Sequence, residues 1–152
     1  MVNVKMKTTV KIRAKAENST HSASEVQVRD LVQVIDEPTE RGGTNKGPTP
    51  TETALSALIG CTNVIGHKCA EALDVYIGEL SISAVSSFDR RGVTLTEEIE
   101  VPFESIDLTV ISNGTASYEQ LQAVKAEVAK FCPMAKLFKN AGTRINESWE
   151  TA

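Results

Sequence analysis

The sequence predicts an α+β fold with N-terminal antiparallel strands, a long buried central helix, and then further strands and C-terminal helices. Three observations carry this expectation. Apolar and polar residues alternate in the first 35 positions, a run of small and apolar residues follows at 50–73, and a second helical pattern near the end is broken by one proline.

Taken in order, "VKMKTTVKIRAKAE" and "EVQVRDLVQVID" alternate on either side of the polar turn "NSTHSAS", which reads as a hairpin or meander. "EPTERGGTNKG", with adjacent glycines, is a loop. Residues 50–73 form the longest helix. Its pattern "ALSALIGCTNVIGHKCAEAL" is small or apolar on nearly every face, so it is expected to be buried all round. "VYIGELSISAVSSF" and "VTLTEEIEVPFESIDLTVIS" return to strand character across the turn "DRRG", with Pro102 marking an edge or a bulge. Ser117 and Gln120 form a capping box before "SYEQLQAVKAEVAKF". Pro133 cannot continue that helix, so Cys132 stands at a break and "PMAKLFKNAG" opens a new one. "TRINESWE" is a last strand.

Composition narrows the function. With 152 residues, 41% of them hydrophobic, the chain suits one domain over 1–152. A net charge of −4 with scattered Lys and Arg argues against nucleic acid. No apolar run is long enough to span a membrane, and "MVNVKMKTTVKIRAK" lacks the apolar centre of a signal peptide, so the expected location is cytoplasmic. Three cysteines in a reducing compartment suit free or redox-active thiols better than a structural disulfide framework. Two histidines, His21 and His67, with no Cys-x-x-Cys or paired ligand spacing, give no reason to expect a metal or another cofactor.

Two segments about 70 residues apart, "RGGTNKGPTPTETALSALIGC" and "KFCPMAKLF", resemble the signature regions of the OsmC/Ohr family of cysteine-dependent hydroperoxide reductases. The resemblance implies an intertwined homodimer with two active sites at the subunit interface. It implies that Cys61 attacks the peroxide, that Cys132 resolves the product as a disulfide, and that Arg41 with Glu52 activates the first thiolate. It also implies a dithiol reductant, with a lipoyl-type dithiol as one choice. The alternative is an OsmC-like dimer without peroxidase activity, serving as a ligand-binding or redox-sensing protein.

Residue chemistry bears on each role. Cys61 lies eleven residues after Pro50, too deep for the helix N-terminus to act on its thiol, so it needs a cation. Arg41, in the Gly-rich loop, is the first choice, and Arg29, expected on a strand, is the second. Cys132 is expected to gain thiolate character from the amides of the helix it opens. Cys69, eight residues after Cys61 on one rigid helix, reads as a core residue. The sequence departs from many relatives at Thr51, where they carry Glu directly after the helix-opening proline. Glu52 comes one residue later, and Thr49, Pro50 and Glu52 spell a local capping box. On a regular helix Glu52 and Cys61 point about 180° apart, which favours the cap.

Overall fold

The computed structural model describes residues 7–152, so the alternation expected over residues 1–6 lies outside it. Two compact units divide the chain, one ending at Thr53 and the other running Ala54–Ala152.

In the first unit, β1 (Lys15–Glu17), β2 (Ser24–Val28) and β3 (Leu31–Ile35) form an antiparallel meander in that order. Lys15 pairs with Gln27, so two residues further back along β1 the partner strand has already turned at Arg29. The alternating segment therefore outruns its partner, and residues 7–14 are not strand. The alternation in "EVQVRDLVQVID" falls on two strands of this meander, joined by Arg29 and Asp30. Arg29 takes a left-handed backbone with φ 58, which lets the chain reverse without a glycine. After β3 come a 3-10 turn at Thr39–Arg41 and a tight Gly-containing loop leading to α1 (Pro50–Ala72).

The second unit is built on β4 (Leu80–Phe88), β5 (Phe103–Ser112) and β6 (Arg144–Thr151), with β5 in the middle. β4 and β5 are antiparallel, while β5 and β6 are parallel. A parallel pair needs a crossover, supplied here by α2 (Tyr118–Phe131) and α3 (Pro133–Asn140). The expected strand over 93–102 is absent, and β5 begins only after Pro102. Pro102 does mark an irregularity, because the register slips between Ser87 and Phe88 opposite Phe103 and the Pro102 carbonyl accepts the Asp89 amide at 2.8 Å.

The core lies between this sheet and the helices. Ile106, Leu108 and Val110 of β5 are buried with Leu121, Val124 and Val128 of α2, and with Phe138 and Trp149. Full burial of side chains of this size contributes roughly 1.5–3 kcal/mol each. Phe103 joins Phe88 and Phe138 edge to face, with ring centroids 5.0 and 5.2 Å apart. The Ser117 and Gln120 capping box is formed, and Pro133 is the first residue of α3.

One expectation about α1 needs correction. Within this chain it is buried on one face only, at Leu58, Thr62, Gly66, Cys69 and Ala70. These residues recur every three or four positions, the period of a single helix face. Ser56, Ala57, Asn63 and Val64 are exposed, and a Cβ built on Gly60 meets nothing within 4 Å. Small side chains permit close packing on that face, but the described residues of this chain do not cover it.

Candidate active site

Cys61 and Cys132 are brought together. Cys61 is half-buried on α1, packed against the apolar core. Cys132 is fully buried in the one-residue break between α2 and α3. The break exists because Pro133 has no amide to continue α2 and favours an extended residue before it; Cys132 has φ −70 and ψ 110. Its Sγ then caps α3, accepting the Ala135 amide at 3.4 Å, and it lies near enough to the Cys61 thiol for the two to interact electrostatically.

The electrostatics of Cys132 run against the sequence expectation. Burial pushes its pKa up, and the neighbouring Cys61 thiol pushes the same way. The Ala135 and Met134 amides pull it down and do not compensate. Helix-terminal amides do stabilise a thiolate, but a sulfur with no exposed surface also loses its hydration, and that loss wins. Cys132 therefore holds its proton at neutral pH. Cys69 is buried as expected; its pKa is raised first by burial and then by the Glu127 carboxylate.

The first unit holds the other candidates. Arg41 ends the 3-10 turn, is exposed, and pairs its Nε with Glu37 at 2.8 Å. Glu52 closes the capping box at the start of α1. Its Oε2 accepts the Thr49 amide at 2.8 Å, and its own amide donates to the Thr49 hydroxyl at 3.2 Å. The Thr49 amide first, and the Thr49 side chain with it, hold its carboxyl below the ordinary range, and the charge of Arg41 adds to the effect. Arg29, the second choice of cation, stands in the β2–β3 turn rather than on a strand. His21 is exposed in the turn before β2, and His67 sets its ring nitrogens 2.9 Å from the carbonyls of Asn63 and Gly78.

The family model for OsmC-like proteins matches residues 43–148, the stretch that carries both Cys61 and Cys132. The chain belongs to the OsmC-like family. No curated protein matches it. Among solved structures, it is similar to an OsmC-like protein from Mycoplasma pneumoniae, at 18% identity and TM-score 0.74 over 93% of this chain and 98% of that one. It is also similar to an organic hydroperoxide resistance protein OsmC from Legionella pneumophila, at 16% identity and TM-score 0.68 over 96% and 99%. OhrB, an organic hydroperoxide resistance protein of Bacillus subtilis, matches at 16% identity and TM-score 0.63 over 92% and 98%. At such identities these likenesses carry the fold.

One residue of this OsmC-like chain was missed in the sequence. Asp36 is fully buried in the first unit, and its carboxylate collects donors from residues up to ten positions away. The only local signal was an acid placed just ahead of a Pro- and Gly-containing loop, a common place for side chain to backbone bonds. Among the described residues no group of three or more His, Cys, Asp or Glu is placed to hold a metal ion, and no helix is long and apolar enough to cross a membrane.

Proposed function

We propose that this OsmC-like protein is a thiol-dependent peroxidase that reduces organic hydroperoxides, working as a homodimer. The observation that supports it is the Cys61–Cys132 pair: two electrostatically interacting thiols, one partly accessible, the other buried with its pKa pushed up. In this reading the Cys61 thiolate attacks the distal peroxide oxygen. The O–O bond breaks, an alcohol leaves with a proton, and Cys61 becomes a sulfenic acid. The Cys132 sulfur then attacks the Cys61 sulfur, its proton leaves with the hydroxyl as water, and a disulfide forms. A dithiol, of which a lipoyl-type group is one choice, returns both thiols by two exchange steps.

Arg41 serves as the activating cation in this proposal, because a guanidinium stays charged and can bond both a thiolate and a peroxide oxygen. Glu52 acts first as the cap of α1 and adds its charge near Arg41. The exposed small-residue face of α1 is where a second copy would pack, as the family resemblance implies. A non-peroxidatic ligand-binding or redox-sensing dimer is the second reading; the engagement of Glu52 in a local capping box favours it.

One experiment separates the two. The reduced protein is treated with one equivalent of cumene hydroperoxide, and intact mass and free thiols are measured before and after. The peroxidase reading expects one equivalent of alcohol, the loss of two thiols and a mass lower by two hydrogens. Cys61→Ser should consume no peroxide. Steady turnover in that variant would refute the assignment.

A further inference from the structure

The loop between β3 and α1 closes on a single side chain. Asp36 Oδ1 accepts the Glu37 amide at 2.8 Å, and Oδ2 accepts the Thr44 amide at 3.0 Å, the Thr44 hydroxyl at 2.6 Å and the Lys46 amide at 3.2 Å. The Asp36 amide meanwhile donates to the Pro48 carbonyl at 3.1 Å, drawing the far end of the loop back to its start. Within this enclosure the amides of Arg41 and Gly43 donate to the Pro38 carbonyl at 3.0 and 3.1 Å. The chain passes itself so closely that a Cβ on Gly43 would lie 1.8 Å from the Glu37 oxygen, and one on Gly47 2.2 Å from the Val34 oxygen. Only glycine fits either place.

We propose that Asp36 is the positioning residue for Arg41: its buried carboxylate ties residues 37, 44 and 46 together and so fixes the loop that presents the guanidinium. A fully buried carboxylate persists only while its donors surround it, and most of these donors belong to the loop. Carboxylate and loop conformation therefore stand or fall together. The Thr44 hydroxyl is the largest influence holding Asp36 ionised, and the Lys46 and Glu37 amides act with it against burial. Asn is a poor substitute, since its NH₂ would face an N–H wherever it pointed. An arginine on a pinned loop gives up less conformational freedom on reaching its target than one on a loose loop. The inference rests on the reading of Arg41 as the cation that activates Cys61.

The test measures iodoacetamide alkylation of Cys61 in Asp36→Asn, Arg41→Ala and the double variant, per folded protein, from pH 6 to 10. Arg41→Ala should slow the reaction about tenfold at neutral pH, the scale of one charge-assisted hydrogen bond, with recovery at alkaline pH. Asp36→Asn should slow it in the same way, and the double variant should be no slower than Arg41→Ala alone. A merely structural Asp36 would lower the melting temperature and leave the folded fraction reacting at the parental rate. If Asp36→Asn does not fold, Thr44→Val decides: it removes the 2.6 Å donor while keeping the side-chain shape, and should slow alkylation a few-fold, only when Arg41 is present. Parental rates in Asp36→Asn or Thr44→Val beside a slowed Arg41→Ala would overturn the proposal alone, as would fully multiplicative slowing in the double variant. A parental rate in Arg41→Ala would overturn the reading of Arg41, and this inference with it.

Discussion

Replacing Glu52 by Ala separates a helix cap from a catalytic acid. The substitution removes the acceptor of the Thr49 amide, and Thr49 is only 4% exposed, so water cannot readily replace the bond. An unsatisfied buried donor costs about 1–3 kcal/mol, and loss of a cap about 0.5–2 kcal/mol, so the expected loss is about 1–2 kcal/mol. For a chain of this length that corresponds to a fall in melting temperature of roughly 2–8 °C. The pH dependence gives an independent check. The folded pKa of Glu52 lies below its usual 4.5, so its ionised form stabilises the fold above that value, and this contribution disappears as pH falls through the folded value. Urea unfolding of parent and Glu52→Gln should thus differ at pH 7 and converge in strong acid. Peroxide turnover per folded protein should change little in either variant. A large fall in turnover with an unshifted melting curve would refute the reasoning and give Glu52 a role in the chemistry.

Cys132→Ser should stay folded, because a hydroxyl at this position can still accept the Ala135 amide, and should consume one equivalent of hydroperoxide before mass spectrometry finds Cys61 as sulfenic or higher acids. Raised thiol pKa values stabilise the fold below the ordinary value of about 9 and lose that contribution as pH climbs toward the raised value, so alkaline unfolding should set in above pH 9 and be milder in Cys132→Ser. Native thiol counting at pH 7 should label Cys61 well before Cys132 or Cys69, both of which need unfolding. Light scattering should give about twice the 16.4 kDa chain mass, and Gly60→Leu, whose side chain has open space within one chain, should give a folded monomer by circular dichroism and scattering.

What could be read from the sequence was written within a few residues. The Ser117 box, the Pro133 break and the Thr49–Glu52 box each depend on spacings of one to three residues, and each is present. Arg29 was misplaced because "VQVRDLVQV" alternates without a glycine to mark the reversal, so the turn depends on a left-handed arginine. Residues 93–102 alternate just as well yet remain outside the sheet, since alternation describes a surface and not the partner that must cover it. The proton affinity of Cys132 and the gathering role of Asp36 were illegible for one reason. Burial and long-range donors are properties of the folded chain, and no local pattern encodes them.

The parallel pairing of β5 with β6 also bears on how the fold is reached. Asp107 faces Asn146 across that ladder, so the contact closes a long stretch of chain that includes α2 and α3. The loop entropy must be spent before any β5–β6 hydrogen bond forms, whereas the β4–β5 ladder closes over a much shorter segment. The antiparallel ladder and the capped α2 are thus the natural early structure, with β6 docking late onto an open edge of β5. Until then Val110 and its neighbours are a sticky, unpaired strand edge. A weakened α2 cap should accordingly lengthen the time that edge stays open and raise the yield of aggregates on refolding, even where the finished protein is hardly less stable.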